Sequence, residues 1–141
     1  MGLVKELGML RSVDLSDYML HKPFKVAISD NIFVAINIII ENKISGICVV
    51  NDEGSLVGVL SEMDCLRAIL NATYNEGAIG FIEDYMTANV VCCELHADVV
   101  DVADDMLKKG HRRRPVVDNG KLVGQITCRQ LLRVVRDFDK D

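Results

Sequence analysis

Leu56-Val-Gly-Val-Leu-Ser-Glu-Met-Asp64 is the stretch that decides the fold, because it recurs later in the chain as Leu122-Val-Gly-Gln-Ile-Thr-Cys-Arg-Gln130. Each copy is a short apolar run that ends in a hydroxyl, and the first copy adds a carboxylate three residues after that hydroxyl. An apolar run of this kind predicts a strand that leads into a helix, with the hydroxyl residue as the helix N-cap. The recurrence predicts two copies of one structural unit.

The repeat extends over nearly the whole chain. Asp17-Tyr-Met19 returns as Asp84-Tyr-Met86, which sets an offset of 67 residues, and the apolar positions coincide at that offset. One residue is lost in the turn before Gly124, the partner of Gly58. We predict an α/β (α+β) fold of tandem β-α-β-β-α repeats, with a short N-terminal helical extension at 1–14 and repeats at 15–75 and 76–141 that form one compact module.

Composition excludes several classes of protein. The 141 residues carry a formal charge of −5, which argues against a nucleic-acid binder that relies on a general basic field. No apolar run has the length of a membrane span, and the first residues lack a signal-peptide pattern. We expect a cytoplasmic protein with no nucleic-acid or membrane partner.

The cysteines indicate neither a disulfide framework nor a metal site. There are five, at positions 48, 65, 92, 93 and 128, without a Cys-x-x-Cys pair. Cys48, Cys65 and Cys128 replace apolar residues in patterned segments, so we expect buried reduced thiols there. Strand alternation would send Cys92 and Cys93 to opposite faces, which disfavours a redox pair.

One predicted helix is apolar on more than one face. It begins after a cap at Ser29 or Asp30 and continues to Lys43, and its core-facing positions are Ile32, Ala35, Ile36, Ile39 and Ile40. The other faces carry Phe33, Val34 and Ile38, so we predict a homodimer through this helix. Packing of the excess apolar surface against the N-terminal helix is the alternative.

The Ser61–Asp64 spacing supports two interpretations. A hydroxyl at a helix N-terminus, beside free backbone N–H groups, suits polar or anionic ligand atoms. The two oxygens of the Asp64 carboxylate suit the vicinal hydroxyls of a ribose. In the alternative, Asp64 completes a capping box and satisfies the backbone N–H of Ser61. Spacing alone favours the cap.

Three consecutive arginines stand just before a predicted strand at Pro115–Val117. Alternation would send Arg113 one way and Arg112 and Arg114 the other. Guanidinium groups match phosphate oxygens, and a local basic cluster in an acidic protein indicates an anion site. The alternative is a solvated strand edge protected by charge, which we expect for Arg114, with His111 as an exposed loop residue.

The chain resembles a tandem pair of CBS domains, regulatory modules named after cystathionine β-synthase. The resemblance covers residues 15–137 and is carried by the two Asp-Tyr-Met openings, by Gly58–Asp64, by Leu122–Thr127 and by Arg113-Arg-Pro-Val-Val-Asp118. It implies a dimeric disc with pseudo-twofold symmetry that lacks catalytic residues, binds AMP, ADP or ATP and signals through an effector protein. The alternatives are a pair that binds NAD or S-adenosylmethionine, and a ligand-free dimerisation scaffold.

The resemblance also implies the roles of individual residues. In such modules the carboxylate of one repeat shares a cleft with residues just before the second strand of the other repeat. Ser61 and Asp64 would then hold the ribose, and Arg112 and Arg113 the phosphate. The candidates for contact with adenine are Val59, Val90 and Val91.

The second cleft departs from this pattern. Gln130 stands where Asp64 stands in the first copy, and Ser45 and Gly46 stand where the second copy has its arginines. Thr127 keeps the hydroxyl, but an amide holds a diol less well than a carboxylate and no cation is left for phosphate. We therefore expect one competent nucleotide site per chain and a degenerate second one that is empty or binds a weaker ligand.

Overall fold

The computed structural model describes residues 7–75, 77 and 79–138. Its helices are α1 (Ile32–Asn42), α2 (Glu62–Tyr74), α3 (Val99–Lys109) and α4 (Cys128–Phe138). Its strands are β1 (Lys25–Ala27), β2 (Gly46–Val50), β3 (Leu56–Ser61), β4 (Cys93–Glu94), β5 (Arg113–Asp118) and β6 (Lys121–Thr127). Short 3-10 helices lie at Leu7–Ser12, Leu15–Asp17 and Ile82–Asp84. The predicted α/β class and the repeated β-α-β-β-α order are confirmed.

Each repeat contributes one three-stranded sheet, in the orders β1-β2-β3 and β4-β5-β6. β1 runs parallel to β2, and β2 pairs antiparallel with β3 across a hairpin that has an irregularity between Val49 and Val50. β4 runs parallel to β5, with Cys93 opposite Val116. Parallel neighbours require a crossover, which α1 provides in the first repeat and α3 in the second.

The chain divides into two compact units. The first-repeat unit contains Phe24–Val90 with Gly120–Leu122, and the second-repeat unit contains the described residues of Met1–Pro23, Val91–Asn119 and Val123–Asp141. Each has an apolar core of its own, built around Ile32, Val49 and Leu60 in the first and around Val99, Val116 and Ile126 in the second. The units therefore differ from the sequence repeats, because the opening segment of each repeat belongs to the other unit.

In the first-repeat unit, the opening of the second repeat lies against β3. Thr87 exchanges two backbone hydrogen bonds with Val59, at 3.0 and 2.9 Å. Beside this bridge, a Cβ added to Gly58 would lie 2.5 Å from the Met86 sulfur. Glycine at position 58 therefore lets the methionine lie on the strand without a shift of its side chain.

The second-repeat unit contains the equivalent arrangement from the opening of the first repeat. Leu20 exchanges two backbone hydrogen bonds with Gln125, at 2.8 and 2.9 Å. A Cβ added to Gly124 would lie 2.6 Å from the Met19 sulfur. The Asp-Tyr-Met openings thus recur because each supplies a methionine that packs on a glycine of β3 or β6.

The cap of α1 corrects one prediction. Asn31, rather than Ser29 or Asp30, caps α1 by accepting the N–H of Phe33 at 2.9 Å. The Asp30 carboxylate instead accepts the N–H of Ala27. In the second repeat, Asp98 caps α3 and Gly110 ends it.

Asp14 caps the 3-10 helix Leu15–Asp17, and its side chain accepts the N–H of Ser16. Of the predicted N-terminal helix, residues 1–6 lie outside the described part of the chain and Leu7–Ser12 forms a 3-10 helix. The Arg11 guanidinium lies 3.3 Å from Asp98 and 2.9 Å from Asp101, which attaches this segment to α3 within the second-repeat unit.

Helix α1 buries only part of its apolar surface. Ile32, Ala35 and Ile39 are buried as predicted, and Ile36 and Ile38 pack partly buried against the same core. The prediction for Ile40 was wrong, since its side chain is 68% exposed. Phe33 and Val34 are also exposed. An exposed apolar face on α1 is therefore present, and the homodimer stays a prediction.

All five cysteines are free thiols. Cys48, Cys65 and Cys93 are buried and Cys92 is half-buried. The expectation of burial was wrong for Cys128, which begins α4 and is exposed. In the described ranges, no helix is both long and apolar enough to cross a bilayer.

Candidate functional site

The turn from β3 into α2 is built by a reciprocal pair of hydrogen bonds. The Ser61 hydroxyl accepts the Asp64 N–H at 3.1 Å, and Asp64 Oδ2 accepts the Ser61 N–H at 2.9 Å. This is a complete capping box at the N-terminus of α2. The capping interpretation of the sequence is therefore confirmed.

The cap leaves part of the Asp64 carboxylate available. Oδ1 accepts one hydrogen bond from Arg67, at 3.0 Å, and Oδ2 accepts the one from Ser61. Each carboxylate oxygen can accept two hydrogen bonds, so one position remains on each oxygen. The Asp64 side chain is 13% exposed, so the carboxylate is largely buried and partly accessible. Capping and ligand binding are compatible roles for this side chain.

The same corner contains two residues that were predicted for the second, degenerate site. The carbonyl of Ser45 accepts the N–H of Glu62 at 2.9 Å. Gly46 pairs with Ser61 across the β2–β3 hairpin. Within the first-repeat unit, the structure thus brings Ser45 and Gly46 to Ser61 at the start of α2.

Of the three valines predicted to contact adenine, two belong to this unit. Val59 is half-buried in β3, opposite Cys48 in β2. Val90 is half-buried in the extended segment after the Thr87 bridge. Val91 belongs to the second-repeat unit and is 40% exposed.

The turn from β6 into α4 repeats the cap with an amide. Thr127 Oγ1 accepts the Gln130 N–H at 3.2 Å, and Gln130 Oε1 accepts the Thr127 N–H at 2.9 Å. The predicted equivalence of Gln130 and Asp64 therefore holds in the geometry of each corner. The amide provides the same cap without a negative charge.

Arg112 and Arg113 lie next to this second corner. The carbonyl of Arg112 accepts the N–H of Cys128 at 3.0 Å, the counterpart of the Ser45–Glu62 bond. Both arginines are exposed. Among the described residues, neither guanidinium has a hydrogen bond or an ion pair. Two unpaired guanidinium groups at a helix N-terminus give this corner a positive field.

Arg114 corrects the prediction of a solvated strand edge. It is 3% exposed, and its guanidinium lies 2.7 Å from Asp105 Oδ2 and 3.0 Å from His111 Nδ1. His111 is half-buried rather than an exposed loop residue. The repeat offset would have indicated the burial, because Arg114 corresponds to Ile47, a buried residue of β2.

The predicted site residues fall into two groups, each described within its own unit. Ser61, Asp64, Val59 and Val90 belong to the first-repeat unit, whereas Arg112 and Arg113 belong to the second. Over the described ranges, no cluster of His, Cys, Asp and Glu side chains could hold a metal ion.

The family follows from a match to both repeats. The CBS domain model matches residues 15–71 and again residues 82–137. The chain belongs to the CBS-domain family. This confirms the resemblance that the two repeated motifs carried in the sequence.

Similar proteins agree with this assignment. An uncharacterised protein of Methanocaldococcus jannaschii is 27% identical over 95% of this chain. The structure of CBSX2 from Arabidopsis thaliana in complex with AMP is 28% identical, with a TM-score of 0.75 over 88% of this chain and 96% of that one.

The CBS domain pair of the protein MJ0100, in complex with 5′-methylthioadenosine and S-adenosyl-L-methionine, is also 28% identical, with a TM-score of 0.68 over 86% and 98% of the two chains. The present chain spans 48% to 57% of the length of three curated relatives. The similarity thus covers whole CBS pairs and only part of several longer proteins.

Proposed function

We propose that this CBS pair is a non-catalytic regulatory module that binds an adenosine-containing ligand and passes its occupancy to an effector protein. The observation that carries the proposal is the Asp64 carboxylate, which is fixed at the N-terminus of α2 with hydrogen-bonding capacity left on both oxygens. Two similar CBS pairs have been solved with adenosine compounds, which supports this class of ligand.

In this proposal the first-repeat unit holds the nucleoside. Vicinal ribose hydroxyls donate to Asp64, and the Ser61 hydroxyl is a further partner. Val59 and Val90 are the apolar side chains of that unit for contact with adenine, and we propose Val91 as a third.

We further propose that Arg112 and Arg113 bind phosphate. Their guanidinium groups are exposed and unpaired within the described part of the chain, and guanidinium matches phosphate oxygens with two parallel hydrogen bonds. This favours AMP, ADP or ATP over 5′-methylthioadenosine, which lacks a phosphate, and over S-adenosylmethionine, whose sulfonium would be repelled. NAD also carries phosphate and stays the alternative ligand.

The degenerate site follows from the same chemistry. Gln130 with Thr127, and Ser45 with Gly46, offer no carboxylate and no cation. We propose that this second site is empty or binds an uncharged nucleoside weakly.

Calorimetric titration of wild-type protein with AMP and with adenosine tests the proposal. Asp64→Asn should weaken binding of both ligands, because both carry the ribose diol. Arg113→Ala should weaken AMP binding by about tenfold, the value of one hydrogen bond between charged groups, and leave adenosine binding unchanged. Arg133→Ala, which removes an exposed arginine of α4, is the matched control.

Unchanged AMP affinity in both variants would show that the site is wrong. Absence of binding by any adenosine compound would favour the remaining alternative, a ligand-free dimerisation scaffold.

We also propose that the module is a homodimer formed through α1. Its exposed apolar residues adjoin a groove between α1 and α2, and an apolar face of this kind is typical of an interface. The groove is lined by Ile36, Ile39, Ile40, Glu62, Cys65, Leu66 and Ile69.

A further inference from the structure

The second-repeat unit contains a polar cluster with no assigned role. It consists of Asp105 on α3, His111 in the following loop and Arg114 in β5. One terminal nitrogen of the nearly buried Arg114 donates to Asp105 at 2.7 Å, and the other lies 3.0 Å from His111 Nδ1. Its Nε is buried and has no hydrogen-bond partner among the residues that the structure describes. Asp105 and His111 are thus the two side chains that contact this buried guanidinium.

The equivalent positions in the first repeat are all isoleucine. At the offset of 67 residues they are Ile38, Ile44 and Ile47. Ile47 is buried, and the other two pack partly buried against the core of the first-repeat unit. The same place in the fold therefore accepts an apolar cluster. Apolar residues often replace a buried ion pair without loss of stability, so packing does not explain the polar set.

The contact between Arg114 and His111 depends on the protonation of His111. A guanidinium has only donors, so Nδ1 must be the acceptor, and the imidazole must be neutral with its proton on Nε2. A second proton would turn Nδ1 into a donor and place two cations in contact. Imidazole is the side chain that ordinarily changes charge between about pH 5 and 8.

Asp105, Cys92 and Cys93, which interact with Arg114, keep their charge states near neutral pH. The Lys109 ammonium, 3.0 Å from Asp105, and the Arg114 guanidinium hold the pKa of Asp105 below its ordinary value, so Asp105 stays ionised near neutral pH. Burial raises the pKa of Cys93 to about 11 and that of Cys92 in the same direction, which keeps both as thiols. The other charged or titratable neighbours are Glu94, Arg112, Arg113 and Cys128, whose thiol donates to the His111 carbonyl.

Two members of the cluster, His111 and Arg114, flank the exposed Arg112 and Arg113 in the chain. The His111 N–H donates to the Met106 carbonyl at the end of α3, and the Arg112 carbonyl accepts the Cys128 N–H. Arg112 and Arg113 thus lie between two members of the cluster, His111 and Arg114.

We propose that Arg114 is a positioning residue that, through Asp105 and His111, holds the Arg112–Arg113 segment in place and releases it when His111 is protonated. The consequence for ligand binding rests on the proposed phosphate role of Arg112 and Arg113.

Titrations with AMP at pH 7.5 and 5.5 test the consequence for ligand binding. AMP takes up a proton itself in this range, so the comparison is between variants. In His111→Asn, an amide oxygen accepts from Arg114 at either pH. In the triple variant Asp105→Ile, His111→Ile and Arg114→Ile, the apolar set of the first repeat replaces the cluster. The wild-type affinity should fall at least fivefold more than that of either variant between these pH values, and adenosine should show no such difference.

Nuclear magnetic resonance without ligand tests the positioning itself. Ring ¹⁵N shifts of wild-type His111 at pH 7.5 should show the proton on Nε2. The amide signals of Arg112 and Arg113 should move with pH in the wild type and not in His111→Asn. A proton on Nδ1, or equal pH dependence in both proteins, would overturn the inference. If AMP fails to bind while the amide response is present, the proposed ligand is wrong and the positioning role stands.

Discussion

The two repeats share a backbone plan and differ in the chemistry placed on it. Asn31 and Asp98 cap equivalent helices, and the Ser45–Glu62 and Arg112–Cys128 backbone hydrogen bonds are equivalent as well. On this common frame one repeat has a charged cap and an isoleucine cluster, whereas the other has a neutral cap and an Asp-His-Arg cluster. The helix caps and backbone hydrogen bonds are thus the same in both repeats. The side chains that carry charge differ between the repeats.

Substitution of the two glycines that lie under methionines, Gly58 and Gly124, should show the largest difference in stability between the repeats. A Cβ on Gly124 would lie 2.8 Å from the Leu20 carbonyl oxygen, which is fixed in a backbone bridge. The nearest backbone atom for Gly58 is the Thr87 oxygen at 3.1 Å, and its shortest contact is a methionine sulfur that can move. Gly124→Ala should lower the free energy of unfolding by about 3 kcal/mol and Gly58→Ala by about 1 kcal/mol, as measured by urea titration.

Double-mutant cycles separate the two causes. Met86→Ala should offset most of the cost of Gly58→Ala, whereas Met19→Ala should offset little of the cost of Gly124→Ala, because the backbone oxygen remains. An equal loss of unfolding free energy at the two glycines would show that the neighbouring atoms move equally easily in both repeats.

Most of the fold could be predicted from the sequence because it is specified by local patterns that occur twice. The Ser61 and Thr127 caps, the hairpins and the bounds of α3 follow from apolar periodicity and capping residues. The exchange of opening segments between the units could not be predicted, since it depends on contacts far apart in the chain. A local sign of this exchange is the glycine that stands three residues before each cap, at positions 58 and 124.

The candidate site was less predictable than the fold. The run of charged residues before β5 indicated a solvated strand edge for Arg114, but the side chain is 3% exposed and pairs with Asp105. The Ser-x-x-Asp spacing indicated a cap and a ribose contact as alternatives, and only the geometry shows that the cap leaves oxygen positions free. Both cases depend on how side chains three to nine residues apart are oriented, which the sequence pattern does not show.

The exposed faces of α1 and α3 provide the next test of the difference between repeats. Ile40 on α1 and Leu107 on α3 occupy equivalent positions, and both are largely exposed. If α1 forms the dimer, Ile40→Lys should raise the dimer dissociation constant at least tenfold, because a buried ammonium would be unpaired. Leu107→Lys is the matched control and should leave the constant unchanged. Sedimentation velocity measures both, and a wild-type monomer at micromolar concentration would contradict the interface.

The two capping boxes should show the smallest difference in their contribution to the free energy of unfolding. Asp64 and Gln130 accept equivalent N–H groups, but only the carboxylate adds a charge at the positive end of its helix. Asp64→Ala should therefore cost about 1.5 kcal/mol of unfolding free energy and Gln130→Ala about 0.5 kcal/mol. Gln130→Asp should stabilise the protein by about 0.5 kcal/mol at low salt, and this gain should fall as salt screens the charge. A gain that does not depend on salt would show that hydrogen-bond geometry, rather than charge, distinguishes the two corners.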